Sequence, residues 1–136
     1  MKRAARVDKN QPLIVALLRA FGCAVIHTHQ LKNFCDVIAY RGGQTYTIEI
    51  KQTSKDKLTT GEEEAKELIE SVGCDYHIVY SARCLYKLLN VTTKQLAEAM
   101  VYVSKNIQKK LRTEILLILD ASLLYCRERQ IQPYEI

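Results

Sequence analysis

Asp36, Glu49 and Lys51, with twelve residues between the carboxylates and one between Glu49 and Lys51 in a D…ExK pattern, are the residues of this chain whose types and spacing could do chemistry together. Two carboxylates hold a hard cation such as Mg²⁺ or Mn²⁺ through oxygen, leaving waters and a phosphate oxygen to complete its shell. A neighbouring ammonium orients a water or offsets charge on phosphorus. The set suits phosphodiester hydrolysis. The same spacing also fits an ordinary solvated strand face, so the elements that carry these residues have to decide between the two.

Those elements start with a hairpin. Residues 34–40 and 45–52 are β-branched and aromatic runs on either side of Gly42-Gly43, and paired glycines supply the positive φ angles of a tight antiparallel reversal. Alternation along the second strand sets Thr47, Glu49 and Lys51 on one, polar face and Tyr46, Ile48 and Ile50 on the other. If Asp36 shares the side of Glu49, the two carboxylates and the ammonium converge.

The rest of the chain reads as helices and strands around this hairpin. Leu13, Ile14, Leu17, Leu18 and Phe21 have helical spacing, with Asn10 as N-cap, Pro12 in the first turn and Gly22 as the stop. A short strand follows over 23–28. His27 and His29 alternate onto one side of it, but without a third ligand they are given no chemistry. After the polar loop 53–59, Thr60 and Glu63 fit a capping box, and Ala65, Leu68, Ile69 and Val72 give the helix behind it a stripe expected to be buried. Residues 76–80 read as a fourth strand and 84–89 as a short helix. The helix between the third and fourth strands predicts a mixed sheet. Thr92 or Thr93 caps a long helix, and the last helix, from Glu114 to about Arg129, is apolar almost all round and expected to be buried.

Composition narrows the function classes. The chain has 136 residues, 48% of them hydrophobic and 26% charged, which excludes a disordered protein and favours one sizeable core. A net charge of +5 is consistent with a polyanionic partner. Five cysteines without a CxxC pair argue against a disulfide framework and a zinc site. No apolar run approaches the roughly 20 residues needed to cross a bilayer. The basic start of the chain has no signal-peptide pattern, and the expectation is a cytoplasmic protein with no membrane partner.

Asp36 followed by Glu49-Ile50-Lys51, after a helix opened by Val7-Asp8-Lys9-Asn10-Gln11 and before Leu58-Thr59-Thr60-Gly61-Glu62, resembles the PD-(D/E)XK nuclease superfamily. Within it the chain is most similar to the stand-alone VRR-NUC-type nucleases of phages and prophages, which are themselves similar to Holliday junction resolvases. The resemblance covers roughly residues 5–90. It implies an α/β, restriction-endonuclease-like core of order α-β-β-β-α-β, with a mixed four-stranded sheet flanked by helices and a C-terminal helical extension. The expected domains are accordingly residues 1–90, nuclease-like, and 91–136, helical and packed on the core or forming a dimer interface.

Carried over residue by residue, the resemblance makes Asp36 and Glu49 the metal carboxylates and the Ile50 carbonyl a further ligand. Lys51 positions the attacking water, Gln11 faces the site from the first helix, and Gln52 and Glu62 are accessory. Lys2, Arg3, Arg6, Lys32, Lys55 and Lys57 are the expected DNA contacts. The implied activity is a Mg²⁺- or Mn²⁺-dependent DNA endonuclease acting as a homodimer, with junctions, flaps and nicked DNA as its candidate substrates. The alternative is a catalytically silent DNA-binding or assembly module. Two positions depart from the family pattern: Cys35 replaces a proline, and Gln11 brings no negative charge, which lowers metal affinity if a relative needs three carboxylates there.

Overall fold

The computed structural model describes residues 9–136. Their elements run α1 (Gln11–Ala20), β1 (Ala24–His27), β2 (Val37–Arg41), β3 (Gln44–Ile50), α2 (Thr60–Ser71), β4 (Tyr76–Val79), α3 (Ala82–Leu88), α4 (Thr93–Asn106) and α5 (Lys109–Arg129), with a last 3₁₀ turn over Pro133–Glu135. The chain forms two compact units. One holds the described residues up to Gln11 together with Cys23–Tyr80; the other holds Pro12–Gly22 and Ser81–Ile136.

The first unit is a mixed four-stranded sheet in the order β1-β2-β3-β4, as the helix between the third and fourth strands predicts. β1, β2 and β3 are antiparallel neighbours, and β4 runs parallel to β3 with Ile50 beside Val79. Gly42 and Gly43 close the β2–β3 hairpin at φ of +55° and +78°, the paired left-handed geometry that matches strand twist. Val37 and Ala39 on β2 and Ile48 and Ile50 on β3 are fully buried on one face. Burial reaches the opposite face as well: Glu49 is only 4% exposed. The face expected to be polar is therefore enclosed at its C-terminal end, and Glu49 is a buried carboxylate.

α2 follows β3 through the loop 51–59 and lies beside β4. Its cap is one residue earlier than expected. Thr59, not Thr60, is the N-cap; its hydroxyl accepts the Glu62 N–H at 3.2 Å, and Glu62 Oε1 accepts the Thr59 N–H at 2.9 Å. The buried stripe is also corrected: Ala65 and Ile69 are half-buried, but Leu68 and Val72 are exposed, and α2 has no fully buried residue.

In the second unit Phe21 meets Tyr86 edge-on at 6.0 Å, and the Tyr86 hydroxyl hydrogen-bonds Ser122 at 2.8 Å. α4 starts at a capping box made by Thr92 and Gln95. α4 and α5 pack as a helical hairpin through Leu96, Ala99, Val103, Ile115, Leu119 and Leu123. α5 is not buried all round: Leu117, Leu124 and Tyr125 are exposed. Its polar residues Glu114, Asp120 and Arg127 interrupt the apolar surface enough to leave one side outward. Among the described residues no helix is long and apolar enough to cross a membrane, and all five cysteines are free thiols.

Candidate active site

The strand register brings the chemistry together. Val37 pairs with Ile48, so Asp36, one residue earlier, arrives opposite Glu49, and directly opposed residues share a face. The Asp36 N–H donates to the Ile48 carbonyl at 3.1 Å, and its Oδ2 accepts the Ile50 N–H at 2.7 Å. These two bonds fix the aspartate at the end of β3. Upstream, Thr28 donates its N–H to the Asp36 carbonyl at 2.8 Å and its hydroxyl to the Cys35 carbonyl at 2.8 Å. The Tyr76 hydroxyl donates to the Phe34 carbonyl at 2.8 Å. Backbone anchors thus hold the Asp36 segment, in which Cys35 precedes the aspartate.

Lys51 follows β3 and donates its N–H to the Val79 carbonyl at 2.9 Å. Its Nζ lies 3.4 Å from Glu49 Oε2 and 2.9 Å from Glu62 Oε1. One Glu62 oxygen therefore serves both the α2 cap and the lysine. α2 approaches closely here because Gly61 has no side chain: a Cβ built on it falls 2.1 Å from Asn33 Oδ1. Asp36, Glu49, Lys51 and Glu62 form one cluster, and Ile50 contributes its backbone to it.

Electrostatics follow from setting one buried carboxylate, Glu49, beside two half-buried ones, Asp36 and Glu62, and one half-buried ammonium. Desolvation pushes the Glu49 carboxyl up to about 9, helped by its hydrogen bond to Glu62 and by the charges of Asp36 and Glu62, with Lys51 opposing. Burial also raises Asp36, against the pull of its bond from the Ile50 N–H. Glu62 ends below the usual carboxylate value: burial works against it, but bonds from Glu49, the Thr59 N–H and Lys51 outweigh that. Burial opposes the charge on Lys51, yet Glu62 and Glu49 together leave its ammonium held above the ordinary lysine value. Without a metal, burial and the neighbouring carboxylates favour the protonated form of Glu49, hydrogen-bonded to Glu62. The cluster asks for positive charge.

That demand is the test of whether a divalent ion fits. Asp36 and Glu49 offer carboxylate oxygens, the donor type that suits a hard ion. Among the described residues there is no group of three His, Cys, Asp or Glu side chains arranged to hold a metal. An ion that keeps several waters needs only one or two carboxylates, so the set still fits.

The other expected residues are spread more widely. Gln11, at the start of α1, is buried, with its Nε2 3.5 Å from His29 Nδ1; no motif or periodicity pairs it with His29. Gln52 is exposed in the loop after β3, where its backbone N–H donates to Asp56 at 2.8 Å. Lys32, Lys55 and Lys57 are exposed, Lys55 and Lys57 on that same loop. Asp56 folds it by also accepting the N–H and hydroxyl of Thr53, and these bonds, that of the Thr53 N–H foremost, hold its carboxyl below the usual value. Lys2, Arg3 and Arg6 lie outside the described residues.

Residues 8–74 match the family model of the archaeal Holliday junction resolvases. This stretch contains Asp36, Glu49, Lys51 and Glu62, the whole of the cluster described above, together with Gln11. The match supports the PD-(D/E)XK nuclease superfamily, and the sheet with its α-β-β-β-α-β order is consistent with the restriction-endonuclease-like fold of the resolvases. Resolvases of this family are nucleases that use divalent metal and act on DNA. No curated protein and no solved structure gave a match.

Proposed function

We propose that the protein is a Mg²⁺- or Mn²⁺-dependent endodeoxyribonuclease that hydrolyses phosphodiesters in branched DNA. The observation that carries this reading is the convergence of Asp36, Glu49 and the Lys51 ammonium at the ends of β2 and β3, inside the stretch that matches the resolvase family. A silent binding module would have no need to keep a buried Glu49 facing a half-buried Asp36, because such a pair costs stability without a cation.

Asp36 and Glu49 would hold the ion, with the Ile50 carbonyl and Gln11 as further oxygen donors. The bound ion supplies Lewis-acid charge at the scissile phosphate and a water acidified for attack. Lys51, tethered by Glu62, orients that water and offsets charge building on the phosphate. Asp36 is held in place by the Ile50 N–H. Lys32, Lys55 and Lys57, together with Lys2, Arg3 and Arg6, would meet phosphates, contacts that position DNA without reading its sequence. The VRR-NUC-type affiliation, the choice of Mg²⁺ or Mn²⁺ and a two-fold dimer belong to the same proposal.

Cleavage of labelled linear, nicked, flap and four-way-junction DNA in Mg²⁺, Mn²⁺ or chelator, with wild type beside Glu49→Ala, tests it. The expected result is metal-dependent cutting, strongest on the junction and lost in the variant. Equal cutting in excess chelator would overturn the metal reading. Shape-selective binding with no cutting in any metal would favour the binding module.

A further inference from the structure

The strand register extends the Asp36 and Glu49 face outward along the sheet. Thr45, Thr47 and Glu49 alternate onto one side of β3, and their partners follow them: Ile38 opposes Thr47, Tyr40 opposes Thr45, and on β1 Ile26 opposes Ile38 and Ala24 opposes Tyr40. Side chains that oppose each other share a face. Two cross-strand rows, Ile26-Ile38-Thr47 and Ala24-Tyr40-Thr45, therefore continue the row that holds Asp36 and Glu49. Rows two residues apart lie about 7 Å apart along a strand, so Tyr40 stands about 14 Å from Asp36 on the same side.

This extension is open. Ile26 is 55% exposed and Tyr40 is 40% exposed; Ala24 and Thr45 are exposed too, and Ile38 and Thr47 are half-buried. On the other face of β2 and β3, Val37, Ala39 and Ile48 are fully buried, so folding does not use the Ile26 and Tyr40 side as core. β1 is an edge of the sheet, and an isoleucine left bare at an edge invites a partner. Charge selects the kind of partner. Across residues 22–48 the only acidic residue is Asp36, with Lys32 and Arg41 in the same stretch, whereas residues 62–75 hold six Asp or Glu and one Lys. A polyanion is repelled from α2 and accepted beside β1 and β2.

We propose that Ile26, Ile38 and Tyr40 form a stacking platform for nucleobases laid bare at a DNA branch, with the Tyr40 ring at its centre. The proposal rests on the branched-DNA reading above and names the part of the molecule that selects the branch. Linear duplex hides the faces of its bases in the stack and offers only phosphates and groove edges. A branch leaves an unpaired base, or the face of a terminal base pair, open to an apolar and aromatic surface. Such stacking is tolerant of sequence because every base has a π-face. Phosphate contacts hold linear and branched DNA alike, so the platform adds affinity only where the stack is interrupted. The distance of about 14 Å along β2 spans roughly four base steps, which sets the platform within a few nucleotides of Asp36 and Glu49.

Titration of a four-way junction labelled with 2-aminopurine at the branch, beside linear duplex and with both in chelator, tests this with wild type, Tyr40→Thr, Tyr40→Phe and Ile26→Thr. Threonine keeps the strand propensity of the position and removes the ring. Tyr40→Thr is expected to bind the junction about 5- to 150-fold more weakly, to bind linear duplex and Mn²⁺ as wild type does, and to lose the quenching of 2-aminopurine. Tyr40→Phe should match wild type throughout. Junction and linear affinity falling together in Tyr40→Thr, or neither falling, overturns the proposal. If Tyr40→Thr does not fold, Ile26→Thr decides by the same comparison: a loss confined to the junction supports the platform, and an unchanged ratio overturns it. A wild-type dimer by sedimentation that Tyr40→Thr converts to monomer, with the junction-to-linear ratio unchanged, assigns the patch to a second copy of the chain instead. Wild type that binds the junction no better than linear duplex sinks the branched-DNA reading together with this one, whereas junction selectivity that survives in both threonine variants sinks only the platform.

Discussion

Glu49 shows what the site is for at the scale of one side chain. Its carboxyl is raised from an ordinary 4.5 to about 9 by burial beside Glu62 and Asp36. A carboxyl whose folded value is raised stabilises the protein fully below its unfolded value and loses that contribution as pH climbs through the folded one. Metal-free protein should therefore lose stability between roughly pH 4.5 and pH 9, and Glu49→Gln should flatten that slope and melt higher at alkaline pH; thermal melts across the range read both. Because an ion must displace the Glu49 proton, Mn²⁺ binding near pH 7 should release about one proton, seen as a dependence of calorimetric heat on the buffer's ionisation enthalpy. No release would mean that Glu49 is already ionised in the free protein. Lys51 is a separate case. Lys51→Ala should retain metal binding and lose about 10²- to 10³-fold in cleavage rate, so a variant that loses metal affinity equally would make Lys51 structural instead.

At the scale of elements, α2 is the part that completes the cluster, and its cap is the joint. Thr59 and Thr60 are adjacent, as are Glu62 and Glu63, so the pattern T-x-x-E occurs twice in a row, one residue apart. Spacing alone cannot choose between them. The choice falls to Thr59 because only Glu62 also bonds Lys51, a contact made across eleven residues of chain. Thr59→Ala should cost about 1 kcal/mol and lower cleavage, while Thr60→Ala should stay within about 0.5 kcal/mol of wild type. Denaturant melts of the two variants distinguish the frames, and the reverse ranking would restore the later one. The same limit explains what else was legible. The β2–β3 hairpin, its glycine turn and the mixed sheet follow from local pattern and topology rules. The burial of Glu49, the exposure of Leu68 and Val72 and the pairing of Gln11 with His29 depend on which segments meet in space, and periodicity carries no such information.

At the scale of the whole molecule, the question is how many active sites act together. Leu117 is 67% exposed and Leu124, seven residues on along the same face of α5, is 58% exposed. On α4, Val101 joins Met100, Leu116 and Leu117 around an open apolar groove of about 470 Å³. Adjacent exposed apolar side chains on a packed helical hairpin are characteristic of a surface that meets another protein. The dimer we propose would use this surface, and two-fold symmetry would then present two sites to the two strands cut at a branch. Sedimentation at micromolar concentration should show a dimer, and Leu117→Asp with Leu124→Asp should convert it to monomer with its circular dichroism unchanged. Cutting of a four-way junction should then become unpaired, with single nicks accumulating before the second strand is cut, while Mn²⁺ affinity stays at the wild-type value because the metal donors lie in the other unit. A wild-type monomer that makes paired cuts would remove the dimer from the proposal and leave the chemistry of Asp36, Glu49 and Lys51 standing.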